Sequence, residues 1–216
     1  MNKRTPVCLV LKSAVLLVTL LCVFPLFATN PQKKEMKELN VKKVSLANVA
    51  VENIPALLDK EKVAFQSINT VNWKAFPYQP EVQFRIAHTD DAILVHYKVK
   101  EASVRAVAAG DNGAVWEDAC VEFFSIPAGD GIYYNVECNC AGTLLIGAGA
   151  GRENREHAPQ EVMDKVQRWS SLGRQSFEER VGECNWELAL VIPYSAFFKH
   201  QITLEITNLG IFVNVY

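Results

Sequence analysis

Apolar and polar residues alternate with a period of two through much of the chain after residue 80. The clearest runs are 81–86 and 92–99, and the polar turn sequence 88–91 separates them. Successive side chains of a β-strand point to opposite faces of its sheet, so this period predicts half-buried strands. Two such runs joined by a short turn predict a β-hairpin.

Similar runs predict further strands along the rest of the chain, at 115–126, 132–140, 142–148, 177–181, 184–192, 202–206 and 211–216. Short helical turns are favoured at 162–169 and 193–198, and 53–58 is expected to be a short helical or extended entry to the domain. About eight strands, separated by Gly, Pro and Asn turns and without a long helix, predict an all-β fold. We expect a single-domain antiparallel β-sandwich of the immunoglobulin-like or jelly-roll type.

The first 28 residues follow a different pattern. Lys3 and Arg4 precede an apolar stretch that continues to Ala28, as in a cleaved secretory signal peptide. The uncharged part of this stretch is shorter than the ~20 apolar residues of a spanning helix, so we expect no stable membrane span. Lipid attachment at Cys22 is the alternative. The protein is therefore expected to be periplasmic or extracellular, with 29–62 as a charged leader or linker and 63–216 as the folded domain.

Charge and cysteine content narrow the function classes. The formal net charge is −2, and no run of Lys or Arg forms a basic face, which argues against a nucleic-acid partner. Four cysteines follow the signal sequence, namely Cys120, Cys138, Cys140 and Cys184. In an exported chain they allow up to two disulfides, and buried free thiols are the alternative. Metal binding by Cys138 and Cys140 has no supporting histidine pair.

The segment 115–143 combines an aromatic ring with acidic residues on two neighbouring predicted strands. Trp116 and Glu122 lie on the first, and a Gly-rich turn at 128–131 leads to the second. A flat ring can stack on the apolar face of a sugar while carboxylates and amides bind its hydroxyl groups. Asp118 is expected to bond backbone amides of a turn. For Glu122 the alternative is a structural ion pair with Arg85 or Arg105.

Four ordered motifs make the chain resemble the family-9 carbohydrate-binding modules, which are related to the wider DOMON-like sugar and haem domains. The motifs are Pro80-x-Val82-x-Phe84-x-Ile86-Ala87, Trp116-x-Asp118-x-x-Val121-Glu122-Phe123-Phe124, Tyr133-Tyr134-Asn135-x-Glu137-x-Asn139-x-x-Gly142 and Trp186-x-Leu188-x-Leu190-x-Ile192-Pro193-Tyr194. Together they span about 73–198.

The resemblance implies a sugar site. Trp116 would stack on a sugar ring and Glu122 would accept hydroxyl hydrogen bonds, with Glu137, Asn139 and Asn214 as further ligand-binding residues. The family closes its clamp with a second tryptophan after the late asparagine, and this sequence reaches Tyr216 without one. We therefore expect half of the clamp to be missing. The resemblance implies no cofactor; family members can bind calcium, but no calcium-binding loop is legible here.

The predicted function is non-catalytic binding of a sugar end, or of an exposed unit, of a plant-type polysaccharide such as xylan. A glycoside hydrolase is the expected companion. Three alternatives stay open: a glycosidase, a haem-binding DOMON-like domain, and a scaffold that has lost sugar binding. Haem would need axial ligands from the histidines at 88, 96, 157 and 200 or from methionine, and His96 is expected to face outward.

Overall fold

The computed structural model describes residues 39–71, 75, 77–202 and the backbone of 210–215. The predicted signal peptide and Cys22 lie outside the described residues, as does most of the strand predicted at 202–206. From Leu39 onward the chain forms one compact unit. In the described part of the chain, no helix has both the length and the apolar character needed to cross a membrane.

Two sheets form the predicted sandwich. The first has the order β1 (Lys42–Lys43), β3 (Glu81–His88), β4 (Ala92–Ala106), β10 (Phe177–Pro193), β9 (Gln167–Ser170), and β2 (Gln66–Ile68) also pairs with β3. The second has the order β11 (Gly210–Val215), β5 (Cys120–Ile126), β6 (Tyr133–Asn139), β7 (Leu144–Gly149), β8 (Glu156–His157). All pairings are antiparallel except the short β1–β3 pair.

The inner faces of the two sheets enclose the main core, and their alternation follows the sequence pattern. Val95 and Tyr97 of β4 meet Phe123 of β5 and Ile146 of β7, and all four are almost fully buried. The hairpin predicted at 81–99 is confirmed as β3–β4. On β10, Leu188 and its alternate neighbours face this core, as the period of two predicts.

The outer face of the first sheet is covered by the N-terminal part of the described chain. Helix α1 (Ile54–Lys60) buries Ile54 and Leu58 completely against Leu94 and its neighbours. We expected 29–62 to be a leader, but its described part packs on the sheet. Its apolar residues are spaced for one helical face of only two turns, which is too short a pattern to distinguish from a linker.

A smaller difference concerns one of the two predicted helical turns. The predicted helical turn at 162–169 begins earlier, as α2 (Gln160–Met163), and β9 occupies the end of that range. Four residues of alternation are too few to separate a strand from a helical turn. The turn predicted at 193–198 is confirmed as the 3₁₀ turn Tyr194–Ala196.

All four described cysteines are free thiols. Cys138 and Cys140 point into the sandwich core, whereas Cys120 packs on the other side of the same sheet. Burial raises the pKa of both Cys138 and Cys140 to about 12, so these thiols stay protonated. Of the two alternatives left open by the sequence, the structure therefore shows the free thiols.

Candidate functional site

The outer face of the second sheet carries an unusual set of polar residues. On β5, Glu122 stands opposite Glu137 of β6, and the next row places Phe124 opposite Asn135. Alternation gives these four side chains one face, opposite to the core-facing Phe123 and Val136. We call Glu122, Asn135 and Glu137 the polar row. Each of them is at most 3% exposed.

The polar row holds oxygen atoms without a partner. Five buried side-chain oxygen atoms have no hydrogen-bond partner among the described residues, and three of them belong to this row: Glu122 Oε2, Asn135 Oδ1 and Glu137 Oε2. A buried polar atom left unpaired costs about 1–3 kcal/mol. Three such atoms on one small patch mark it as a candidate binding site.

The two carboxyl groups also disfavour ionisation. Burial, and then the charge of neighbouring Glu137, raise the pKa of Glu122 to about 8. Burial likewise raises the pKa of Glu137, while a hydrogen bond from Asn135 Nδ2 and the charge of Arg155 oppose that rise. The row therefore carries less negative charge near neutral pH than two free glutamates, and a neutral polar ligand can approach it.

Arg155 borders the polar row from the sheet edge. It follows the 3₁₀ turn Arg152–Asn154 and directly precedes β8, which pairs with β7. Its Nη1 lies 3.8 Å from Glu137 Oε1, and its guanidinium carbon lies 5.9 Å from the centre of the Tyr133 ring. Its side chain is 18% exposed. The site thus contains a hydrogen-bond donor group beside its unpaired acceptors.

Glycines on β7 make room for this arginine. A Cβ atom at Gly147 would stand 3.4 Å from both Cβ and Cδ of Arg155. At Gly149 it would stand 2.7 Å from the carbonyl oxygen of Asn154. Both positions belong to the same outer face, because their register partners are Asn135 and Tyr133. The missing side chains let the edge segment lie flat against the sheet.

Trp116 lies at the other end of this face, in a 3₁₀ turn rather than in the strand that the sequence predicts. The turn, Val115–Glu117, is anchored by Val115, which packs against Cys120 and Leu145. Leu145 is the register partner of Glu137, so the turn adjoins the polar row. Trp116 itself is 48% exposed. A core aromatic residue would be buried, so this exposure favours a role at the surface.

Asp118 holds the turn in place. Its two carboxylate oxygens accept hydrogen bonds from the backbone amides of Val107 and Ala108, both at 3.0 Å. Asn139 Nδ2 donates to Asp118 Oδ2 at 2.9 Å, and Asn139 Oδ1 accepts from the amides of Ala141 and Thr143. The backbone-bonding role expected for Asp118 is confirmed. The sequence suggested Asn139 as a ligand-binding residue, but its side-chain oxygen and NH₂ group both make the hydrogen bonds that hold this turn.

The last suggested residue, Asn214, stands opposite Glu122 in the β11–β5 register. Its side chain lies outside the described residues. The backbone position alone places it in the row that contains Glu122 and Glu137. The structure therefore brings together the positions of Glu122, Glu137 and Asn214, with Trp116 at the end of their face.

The structural alternative for Glu122 was an ion pair with Arg85 or Arg105. Arg85 belongs to the first sheet and donates to Asp59 Oδ1 at 2.6 Å. Arg105 donates to the carbonyl of Glu117 and lies 3.5 Å from Asp118 Oδ1. Neither arginine pairs with Glu122, so its burial has no such explanation.

Neither a metal site nor a haem site gains support from the described residues. No group of three or more His, Cys, Asp or Glu residues gathers there as a metal site. Both ring nitrogens of His96 and of His200 are already hydrogen-bonded to protein groups. His96 faces away from the core as expected, but it is fully buried rather than open to a ligand.

A sequence model of carbohydrate-binding family 9 matches residues 52–215, most of the chain. The chain belongs to carbohydrate-binding family 9. A solved candidate carbohydrate-binding protein from Bacteroides uniformis ATCC 8492 is 62% identical, with 78% of each chain covered and a TM-score of 0.75. A search of curated proteins finds no match. The antiparallel sandwich expected from the resemblance is confirmed.

Two more distant structures are family-9 modules from Caldicellulosiruptor kristjanssonii. One was solved with glucose and is 13% identical, with 73% of this chain and 69% of that chain covered and a TM-score of 0.44. The other was solved with cellotriose and is 10% identical, with 72% and 64% covered and a TM-score of 0.39.

Sequence reasoning missed two residues of this candidate site, Asn135 and Arg155. Asn135 could have been found, because it lies two residues before Glu137 in a strand and must share its face. Arg155 could not, because its position depends on how the edge strand β8 folds back onto Gly147. Glycines at alternate positions of a strand, here 147 and 149, are the one available signal for such a close approach.

Proposed function

We propose that this domain binds a sugar unit of an oligosaccharide or polysaccharide on the outer face of its second sheet. The observation that carries the proposal is the polar row, in which three buried oxygens have no partner among the side chains that the structure describes. Sugar hydroxyl groups donate hydrogen bonds to such oxygens. Trp116, half-exposed at the end of the face, supplies a ring for stacking on the sugar. Glu122 and Glu137 are the main hydrogen-bonding residues.

The proposal includes binding without cleavage. Glycoside hydrolysis needs two carboxyl groups that flank the scissile bond. Glu122 and Glu137 instead project side by side from neighbouring strands, so both approach a ligand from the same direction. Pure protein is expected to leave chromogenic glucosides and xylosides intact. A measurable rate that disappears in a Glu122→Gln variant would contradict this part of the proposal.

The finer biological role follows from the sequence. The signal-peptide pattern supports export to the periplasm or the extracellular space. There the domain would hold a plant-type polysaccharide, xylan for example, near a glycoside hydrolase. Family membership supports the choice of a carbohydrate as ligand.

Calorimetric titration of the signal-free protein with xylo- and cello-oligosaccharides tests the proposal. The Trp116→Ala variant is expected to bind roughly 5–150-fold more weakly, because the loss of one stacked ring costs ~1–3 kcal/mol. Val181→Ala is the matched control, since Val181 is an apolar residue 84% exposed on the first sheet. Equal binding by the Trp116→Ala and Val181→Ala variants would remove Trp116 from the site.

A further inference from the structure

The site has an open donor as well as open acceptors. Arg155 Nη1 and Glu137 Oε1 are 3.8 Å apart, which is longer than a hydrogen bond. Arg155 makes no hydrogen bond to any of the residues that the structure describes with side chains, although its side chain is largely buried. A guanidinium group can only donate, and an ionised carboxylate can only accept. Both groups therefore remain able to bind a third group placed between them.

The position of Arg155 is set by its surroundings rather than by its own flexibility. Its stem lies over Gly147, and its guanidinium lies within cation–π range of Tyr133. The close approach of Asn154 to Gly149 fixes the preceding backbone. A long side chain held this way loses little further entropy when a ligand binds. The arginine is thus preorganised beside Glu137.

We propose that Arg155 is a specificity-determining residue of the sugar site, where it and Glu137 together receive two adjacent hydroxyl groups of one sugar ring. A hydroxyl group both donates and accepts, so one hydroxyl can donate to the Glu137 carboxylate while its neighbour accepts from the guanidinium. A ring that lacks either hydroxyl leaves a buried group unpaired. The ligand class is therefore sugars with a free vicinal diol. This inference rests on the proposed function.

The experiment compares methyl β-glucoside and methyl β-xyloside with their 2-, 3- and 4-deoxy analogues, using ligand-observed NMR titration. The wild-type protein is expected to lose roughly tenfold or more in affinity when one hydroxyl of the selected pair is absent. Arg155→Gln should lose a similar factor on the parent sugars. For the deoxy analogue that lacks the hydroxyl contacted by Arg155, the Arg155→Gln variant should lose little further affinity, because that contact is already absent. A purely structural role would weaken binding of all analogues equally.

Two further variants sharpen the test. Arg152→Gln removes a guanidinium that is exposed in the same segment, and it should keep affinity within about twofold if the contact rather than the charge matters. Gly147→Val keeps Arg155 but displaces its stem, and it should reproduce the selectivity of Arg155→Gln. Circular dichroism confirms that each variant is folded.

The outcomes separate the two claims. Wild-type binding that Arg155→Gln leaves unchanged would overturn this inference while the proposed function stands. An equal loss in Arg152→Gln and Arg155→Gln would assign the effect to charge and would also overturn it. If the wild-type protein bound no sugar of the panel, or of the xylo- and cello-oligosaccharide series, both the proposed function and this inference would fall.

Discussion

The two outer faces of the sandwich differ in the hydrogen bonding of their buried polar groups. On the first sheet, Arg85 and His96 are at most 2% exposed, yet their polar side-chain atoms have protein partners. Arg85 donates to His96 Nδ1, to Asp59 Oδ1 and to the carbonyl of Pro55, and His96 Nε2 donates to Glu187 Oε2 at 2.8 Å. On the second sheet, three oxygens of the polar row have no hydrogen-bond partner within the described part of the chain.

This difference separates structure from function. The paired network fastens α1 to β3 and β4, since Asp59 and Pro55 belong to the helix. It is complete without a ligand. The polar row reduces the free energy of unfolding, because each unpaired oxygen costs about 1–3 kcal/mol. Buried groups that a fold leaves unpaired are expected where function requires them.

The largest expected effect on stability comes from a change in the paired network on the first sheet. An Arg85→Met variant leaves the His96 nitrogen and the Pro55 carbonyl without their donor, and removal of one partner from a buried charged network costs ~3–5 kcal/mol. We expect the free energy of unfolding in urea to fall by that amount, with sugar binding by the folded fraction unchanged. Asp59→Asn is the control.

Asp59 has a 70% exposed side chain, so its replacement should cost less than about 1 kcal/mol. If the two variants lost equal stability, the buried part of the network would not be the important one. If Arg85→Met instead abolished sugar binding in folded protein, the separation between the two faces would fail.

A second prediction uses the pH dependence of stability, in which the two faces have opposite signs. Burial, with the charge of Arg85, lowers the pKa of His96 to about 4 despite its hydrogen bond to Glu187. The unfolded chain therefore binds a proton below about pH 6.5 that the folded chain does not bind until about pH 4. This face loses up to ~3 kcal/mol as the pH falls through that window.

Glu122 behaves in the reverse way. Its raised pKa, about 8, means that the folded state keeps a proton which the unfolded state releases above about pH 4.5. Its contribution to stability is complete at low pH and is lost as the pH rises towards 8. The two windows overlap from about pH 4.5 to about pH 6.5, where the opposite slopes offset each other, so thermal unfolding of the wild type should show a net loss of stability from about pH 6.5 to about pH 8. Glu122→Gln should remove this loss and reveal the acid slope of His96 below about pH 6.5. A Glu122→Gln variant without an acid slope would contradict the assignment.

The same contrast explains how much the sequence could predict. Alternation in 81–99 and 184–192 predicted the strands, the hairpin and the core-facing residues, because a period of two follows directly from strand geometry. The ring and carboxylate of the proposed site, Trp116 and Glu122, were suggested by the family resemblance. Their partnership with Glu137 required the β5–β6 register, which the predicted pair of strands already implied.

The remainder depends on long-range contacts that a local pattern does not contain. His96 was expected to face outward, and it does, but it is fully buried because the ring of Phe65 and the side chains of Arg85 and Glu187 contact it. Asn139 looked like a ligand-binding residue until its bonds to Asp118 and the β6–β7 turn were visible. In both cases the environment of the residue depends on which groups contact it in the fold, and a local sequence pattern does not contain that information.

The smallest expected effect on stability comes from Glu122→Gln at pH 7. At pH 7 the folded state keeps a proton on Glu122 that the unfolded state releases, and glutamine removes this cost while its amide can still bond within the row, so we expect a gain of ~1 kcal/mol in the free energy of unfolding. Sugar affinity should fall in the same variant, since an amide accepts with one oxygen where the carboxyl group offers two.

Glu178→Gln, on the exposed end of β10, is the matched control and should change neither quantity. A stability gain with lost binding is the signature of a site whose polar groups are kept for a ligand. Lost stability together with lost binding would instead make Glu122 a structural residue like Arg85, and the distinction between the two faces would then disappear.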